Sequence, residues 1–131
     1  MAEEEGDEVL GREGGRVTAG RDSWRELLRM LRLRRARLLR ERYTSPDGPQ
    51  LACLLCWRRL RDRPADVAQH FAVEHPGEYE RVTEQVLGEE MARRGYLPAS
   101  AVEAMWPSNG KRIPWRRVGA GRRAFYMPGG D

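Results

Sequence analysis

Apolar residues recur at helical spacing in three stretches of the chain, and each stretch predicts a helix. The first predicted helix covers residues 23–43, and it starts with a capping box formed by Ser23 and Glu26. Its apolar face consists of Trp24, Leu27, Leu31 and Leu38. Three arginines intrude near that face, namely Arg34, Arg35 and Arg42. Because arginine is rarely buried, we expect the last turns of this helix to lie outside the protein core.

Two further helices are predicted after the middle of the chain. The second covers residues 78–94, and Gly95 follows it where helices often end in a left-handed glycine. Its apolar residues are Tyr79, Val82, Val86, Leu87 and Met91. The third is a short helix over residues 98–106, in which Val102 and Met105 pack. Residues 77–106 are therefore expected to form a helical extension that packs on the segment before it.

The segments outside these helices lack an apolar period. Residues 1–20 are acidic and rich in glycine, which predicts a flexible tail. Residues 45–49, with the sequence Ser-Pro-Asp-Gly-Pro, predict a turn-rich linker. Residues 107–131 combine prolines and glycines with arginines and aromatic residues, without a helical or strand period. They predict a basic, extended C-terminal tail.

The only two cysteines and the only two histidines of the chain stand in the pattern C-x2-C-x13-H-x4-H. They are Cys53, Cys56, His70 and His75. Two thiolates and two imidazoles at such spacings close a tetrahedral Zn²⁺ site. A disulfide between the two cysteines, and two core histidines unrelated to metal, are the alternatives that the sequence leaves open. A catalytic zinc is not expected, since four protein ligands leave no position for water.

The residues around the histidines predict how one helix presents both imidazoles. His70 and His75 are five residues apart, so they converge on one ion if the last turn of their helix loosens. Pro76 then stops the helix, because proline lacks the N–H that would continue it. At the other end, Asp62 is a candidate cap and Pro64 fits the first turn.

Three apolar positions around the ligands complete the pattern, namely Leu51, Leu60 and Val67. With the ligand spacing they resemble a C2H2 zinc finger over residues 50–76. The resemblance implies a small ββα unit around a structural zinc, with these three residues as its apolar core. The expected fold class is therefore mostly α with one small ββα zinc finger and a basic extended C-terminal tail.

Charge and hydropathy add a physical reason for a metal. The mean hydropathy is −0.76 and charged residues make up 34 % of the chain, so a large single core is not expected. Zinc then supplies folding energy that apolar burial does not. The net charge of +4 divides into blocks of alternating sign: residues 1–20 carry −4, residues 21–63 carry +8, residues 64–104 carry −5 and residues 105–131 carry +5.

Arginine accounts for 23 of the 24 basic residues, with Lys111 as the exception. The guanidinium fork binds phosphate and stacks on bases, which favours a nucleic-acid partner, although a GC-rich genome gives the same bias. The predicted RNA-binding residues lie on residues 21–44, the arginine-rich helix, and on residues 107–131. They are Arg25, Arg29, Arg32, Arg40, Lys111, Arg112, Trp115, Arg116, Arg117, Arg122, Arg123, Phe125 and Tyr126. In the tail, arginines neutralise phosphates while rings stack on unpaired bases.

The first functional hypothesis is a structural RNA-binding protein of a ribonucleoprotein particle, with the ribosome as the first candidate and rRNA and neighbouring proteins as partners. Its charge layout resembles that of small ribosomal proteins, in which a compact unit anchors basic arms. The alternative is a DNA-binding regulator. In the C2H2 family, bases are read from helix positions that fall here on Arg63, Asp66 and Gln69. One finger reads only about three base pairs, which weakens this alternative.

Other function classes are less compatible with the chain. A finger that contacts protein through the acidic helix is a third hypothesis. An enzyme is not expected, because no histidine or cysteine remains outside the metal set to serve as base or nucleophile. No run of 18 apolar residues predicts a membrane span and no signal peptide opens the sequence. We expect a cytoplasmic protein, or a nuclear one if the source is eukaryotic.

Overall fold

The computed structural model describes residues 19–106, 115–119 and 123–129. These residues are mostly helical, as predicted, and small antiparallel sheets accompany the helices. The helices are α1 (Ala19–Tyr43), α2 (Pro64–Glu74), α3 (Pro76–Arg94) and α4 (Ala99–Met105). The strands are β1 (Thr44–Asp47), β2 (Gln50–Cys53), β3 (Arg59–Arg61), β4 (Leu97–Pro98), β5 (Trp115–Val118) and β6 (Phe125–Pro128). Nearly all of the predicted acidic tail lies outside the described residues.

Helix α1 is the central element, because it packs against α2, α3 and α4. The predicted helix over residues 23–43 lies within it, but the prediction that its last turns lie outside the core is wrong. Arg35 and Ala36 are buried, and Leu39 is fully enclosed. Helix α1 packs against three neighbouring helices, so an arginine next to its apolar stripe becomes buried with it.

The guanidinium of Arg35 ties three helices together inside the core. Its Nη1 donates hydrogen bonds to Thr83 Oγ1 on α3 and to the Met105 carbonyl on α4, both at 3.0 Å. Its carbon Cζ lies 4.4 Å from the centroid of the Tyr79 ring, a cation–π contact. Burial lowers the pKa of Arg35 from its ordinary value. The cation is thus held by neutral groups and an aromatic face.

The first sheet has the order β1-β2-β3 and is antiparallel throughout. Gly48, with φ of +63°, closes the tight turn between β1 and β2. The prediction of a linker over residues 45–49 is therefore wrong for its first three residues, which pair as part of a strand. Pro46 concealed this strand, since proline lacks a ladder donor, but β1 is an edge strand where proline is tolerated. Leu51 and Cys53 face the core together with Leu60 of β3.

Two prolines and one glycine set the boundaries of α2 and α3. Pro64 occupies the first turn of α2, as predicted, whereas Arg63 is the N-cap and no side chain caps the helix. Asp62 instead accepts two hydrogen bonds from Arg40, of 2.7 and 2.8 Å, so its predicted capping role is wrong. Pro76 ends α2 and starts α3. Gly95 ends α3 in the left-handed conformation, as predicted, with φ of +84°.

The second sheet has the order β4-β6-β5, and two of its strands, β5 and β6, lie in the region predicted to be an extended tail. The prediction that residues 107–131 form an extended tail without strands is wrong. Strand β6 pairs with β4 on one side and with β5 on the other, so that Tyr126 lies opposite Leu97 and opposite Arg117. Ala124 and Tyr126 join the core. The strands are short and are bounded by prolines and glycines, so no period was visible in the sequence.

One cluster of buried apolar residues runs through the described parts of the chain, with members from every helix and from both sheets. Phe71 of α2, Leu39 of α1 and Leu87 of α3 are among its fully buried members. The segment that carries the cysteines and histidines therefore shares its core with the flanking helices. Among the described residues, no helix combines the length and the apolar character that a membrane crossing requires.

Candidate metal centre and basic surface

The two cysteines lie on a tight knuckle between β2 and β3. Cys53 is the last residue of β2, and its N–H donates to the Arg58 carbonyl at 2.8 Å. The Trp57 N–H donates to the Cys53 carbonyl at 2.7 Å, which closes the turn. The Leu55 N–H points to Cys53 Sγ at 3.4 Å, a contact that stabilises a thiolate. This backbone turns both sulfur atoms towards the same side.

The two histidines approach from the end of α2. His70 lies in the last turns of the helix, and His75 is its C-cap, with non-helical dihedral angles. The His75 N–H still donates to the Phe71 carbonyl at 2.9 Å. The helix therefore ends just before His75, and the loosened last turn directs the second imidazole towards the first, as the x4 spacing predicted.

The four ligand atoms lie close together, and two sulfur–nitrogen distances match those of a tetrahedral S2N2 site. They all lie within 4.8 Å of one another. Cys53 Sγ is 3.5 Å from His75 Nε2, and Cys56 Sγ is 3.5 Å from His70 Nε2. For Zn–S bonds of about 2.3 Å and Zn–N bonds of about 2.0 Å, the tetrahedral angle places sulfur and nitrogen about 3.5 Å apart. These four residues can therefore hold a metal ion.

Aromatic contacts orient the imidazoles. Phe71, which is fully buried, contacts both histidines, with its ring centroid 5.1 Å from that of His70 and 5.4 Å from that of His75. Tyr43 at the end of α1 packs against Phe71 at 5.7 Å. The positions of both imidazoles thus depend on a ring that belongs to the core shared with α1.

The protonation of the metal-free ligands follows from their surroundings. Both cysteines are free, and burial raises the pKa of the Cys53 thiol. Burial and the neighbouring His75 lower the pKa of His70, so its imidazole is neutral at neutral pH. A metal that binds here meets a neutral nitrogen ligand at His70 and displaces a proton from Cys53. The four residues together supply the four ligands of a tetrahedral ion.

The arginines predicted to bind RNA on α1 have different surroundings. Arg25, Arg29 and Arg32 line a groove of about 620 Å³ between α1 and the start of α2, where Pro64, Ala65 and Ala68 form the opposite wall. Arg29 bonds Glu26 at 2.6 Å, whereas Arg25 and Arg32 are exposed and have no ion pair with any described residue. The fourth predicted residue, Arg40, holds Asp62, and its hydrogen bonds lower the pKa of that carboxyl.

Two further arginines border the same region. Arg37 of α1 and Arg63 at the start of α2 line an adjoining groove of about 190 Å³, which shares Leu33 and Pro64 with the first groove. Both side chains are exposed, and neither has an ion pair with a described residue. Four exposed arginines of the two grooves thus have no ion pair with a described residue, and we call them the arginine strip: Arg25, Arg32, Arg37 and Arg63. Sequence reasoning missed Arg37, because only the packing of α1 on α2 places it beside Arg63.

The three residues considered for DNA reading lie at the N-terminal half of α2. Arg63 belongs to the arginine strip, Gln69 is exposed, and Asp66 is half-buried. Helix α1 lies beside Arg63, since the two line one groove, whereas Asp66 and Gln69 line neither groove. The three side chains thus share one end of a helix that has a neighbour alongside.

In the second sheet, the arginines predicted to bind RNA lie in different surroundings from the aromatic residues predicted to bind RNA. Arg116 and Arg123 are exposed, while Arg117 has an ion pair with Glu103 at 3.4 Å. The aromatic residues pack inwards: Trp115 packs against the core, Phe125 contacts Tyr96, and Tyr126 is buried with its hydroxyl donating to Glu103. The buried position of Tyr126 does not support base stacking. Lys111, Arg112 and Arg122 lie outside the described residues.

In comparisons with known proteins, no family model, no curated protein and no solved structure matches this chain.

Proposed function

We propose that this chain is a zinc-binding, RNA-binding structural protein of a ribonucleoprotein particle, with the ribosome as the first candidate. The observation that carries the proposal is the position of the arginine strip directly beside the segment that holds the metal ligands. A structural ion fixes α2, and α2 forms one wall of the basic groove. Its partners are RNA, rRNA in the first case, and neighbouring particle proteins in the cytoplasm, or in the nucleus of a eukaryote.

Zinc is the metal that the donor set favours. Two thiolates with two imidazoles at tetrahedral distances are typical of structural zinc, while magnesium and calcium prefer oxygen ligands. We assign β2, the knuckle, β3 and α2 to a ββα zinc finger of the C2H2 type, to which β1 adds a third strand. Leu51, Leu60 and Val67, the three apolar positions of the resemblance, are buried under it.

The charge distribution favours a phosphate-bearing partner. On α3, Glu89 pairs with Arg34 at 2.8 Å and Glu90 pairs with Arg93 and Arg94, so these charges neutralise each other. The arginine strip is not neutralised in this way, since its four exposed side chains line two adjoining grooves and have no ion pair with any described residue. Unpaired like charges repel one another, so a polyanion that binds there relieves the repulsion and releases counterions.

RNA is a better partner for this surface than the major groove of DNA. The major groove is about 12 Å wide and admits one helix, whose own diameter with side chains is about 10–12 Å. A duplex that received Arg63 would have to accommodate α1 as well, because α1 forms the opposite wall of the groove that Arg63 lines. Irregular RNA offers wider and more varied surfaces, including single-stranded loops.

The salt dependence of RNA binding tests the proposal. We expect each of four single variants, Arg25→Gln, Arg32→Gln, Arg37→Gln and Arg63→Gln, to reduce the slope of log affinity against log salt by about 0.7, because each removes one phosphate contact. The combined variant should reduce the slope by about 3. The slope is measured by fluorescence anisotropy with a labelled single-stranded RNA and with duplex DNA between about 50 and 200 mM salt.

Arg81→Gln is the matched control, since it removes the same charge from an exposed position on α3. It should leave the salt slope unchanged. Equal slopes for the wild type and the combined variant would contradict the assignment of the strip. Tighter binding to one duplex DNA sequence, lost in Gln69→Ala, would instead support the regulator.

A further inference from the structure

Trp57 is an exposed aromatic residue in a backbone conformation that suits glycine. Its φ is +65°, and among the described residues it is the one non-glycine position with positive φ. Its side chain is 70 % exposed, more than that of any other large apolar residue in the described parts of the chain. A bulky residue in the left-handed region is an outlier, and such outliers cluster at functional sites.

The cause of the positive φ is the knuckle itself. The Trp57 N–H bonds the Cys53 carbonyl, and the next carbonyl, that of Arg58, accepts from the Cys53 N–H. This pair of hydrogen bonds bends the chain at Trp57 so that both cysteines face one ion. Glycine would meet the same requirement without strain.

The indole contributes little to the fold in return. Trp24 and Trp115 pack against the core, and Trp106 is buried within it, but Trp57 belongs to neither group. No ring of another described residue stacks on it, and its neighbours Leu54 and Leu55 are also exposed. Packing therefore does not explain why a tryptophan stands at this position, and a contact outside the chain would.

A basic edge leads from Trp57 to the arginine strip. Strand β3 is an edge strand, on which Leu60 is buried while Arg59 and Arg61 face solvent. Arg59 and Arg61 are two residues apart and therefore lie about 6.6 Å from each other along the strand. Arg63 follows Arg61 after another two residues. Arg59 has an ion pair with Asp47 at 2.8 Å, but Arg61 has none with any described residue. An anionic chain bound at the arginine strip can thus continue along β3 to the knuckle.

We propose that Trp57 is a stacking platform for an unpaired base of single-stranded RNA, whose phosphates follow Arg61 towards Arg63. The inference rests on the proposed function and specifies its ligand, an RNA strand with free bases. Stacking on an exposed ring is independent of base identity, since every base has a π-face, whereas the arginines bind phosphate whether or not a base is present. The two contributions can therefore be separated.

The test compares two labelled oligomers of 12 nucleotides, oligouridine and an abasic ribose-phosphate oligomer of equal charge, by fluorescence anisotropy with the zinc-loaded full chain. We expect Trp57→Gly to weaken binding of oligouridine by about 5- to 150-fold and to leave binding of the abasic oligomer unchanged. Its salt slope should equal that of the wild type. Arg61→Gln should weaken the binding of both oligomers and reduce both slopes.

Folding is monitored in the same variants. Because glycine relaxes the strained turn, Trp57→Gly should bind zinc normally and melt no lower than the wild type. Trp57→Phe should retain most of the affinity for oligouridine. Val73→Ala is the control, since it shortens another exposed apolar side chain of the same segment. It should change neither affinity nor melting.

The outcomes separate the two proposals. If Trp57→Gly binds oligouridine as tightly as the wild type, the stacking inference is wrong while the RNA-binding proposal stands, and the exposed knuckle becomes a candidate for protein contact. If the wild type binds neither oligomer, the proposed function fails and the stacking inference fails with it. If Trp57→Gly loses zinc, Trp57→Phe decides: a loss of RNA affinity with intact zinc binding supports stacking, and unchanged affinity contradicts it.

Discussion

Removal of zinc should unfold residues 44–75 and abolish the cooperative melting of the whole chain. Structural zinc contributes about 10–16 kcal/mol in isolated fingers, whereas complete domains are stable by only about 5–15 kcal/mol. Phe71 contacts both histidines and also packs on Tyr43 of α1, so loss of the ion disturbs the core beyond the ligands. A chelator, or Cys56→Ala, should produce this effect.

The measurement is thermal melting followed by circular dichroism, together with the zinc content of each sample. Leu55→Ala is the matched control, because Leu55 is an exposed residue of the same knuckle and donates only its backbone N–H to the site. It should retain zinc and melt as the wild type does. A metal-free chain with an unchanged midpoint and an equally sharp transition would contradict a structural metal.

Arg35→Ala should reduce the free energy of unfolding by about 2–5 kcal/mol, the range for truncation of a large core side chain. The substitution leaves a cavity between α1, α3 and α4, and it removes the hydrogen bonds that Thr83 and the Met105 carbonyl accept. A buried carbonyl that loses its donor costs about 1–3 kcal/mol, which is part of this loss. Urea unfolding measures the change.

Two further substitutions define the role of Arg35. Arg32→Ala removes the same charge one turn away at an exposed position and should change stability by less than about 0.5 kcal/mol. Arg35→Met fills most of the volume without a buried cation, so it should cost less than Arg35→Ala. If Arg35→Ala were no more destabilising than Arg32→Ala, Arg35 would not be the core residue that the structure describes.

The metal ligands were predictable because their signal is local. The positions of Cys53, Cys56, His70 and His75 fix how a knuckle and a helix end must turn, whatever surrounds them. The helices were predictable for a similar reason, since α1 and α3 carry an apolar period over many turns. The first turn of α2 and the ends of α2 and α3 followed from Pro64, Pro76 and Gly95, whose backbone requirements do not depend on the rest of the fold.

The burial of Arg35 was not predictable from the sequence. An arginine next to an apolar stripe reads as an exposed residue unless its acceptors are known, and these lie 48 and 70 residues further along the chain. The second sheet was missed because Leu97–Pro98 contributes only two residues and its partners stand among prolines and glycines. Pairing over long distances leaves little trace in short strands.

The basic surface also has features that the sequence predicted and features that only the structure shows. Arg25 and Arg32 were expected to face solvent from the period of α1, and both do. Arg37 became part of the arginine strip only through the packing of α1 on α2. The exposure of Trp57 was likewise invisible, because a tryptophan in a sequence suggests a core residue, and only the backbone of the knuckle places it outside.

Sedimentation of a native lysate through a sucrose gradient, with and without ribonuclease, tests the central claim most directly. The account predicts that the protein migrates with an RNA-containing particle, that ribonuclease releases it to light fractions, and that the variant lacking all four arginines of the strip is light from the start. Migration in light fractions without ribonuclease, unchanged by the enzyme, would contradict a role as an RNA-bound component of such a particle.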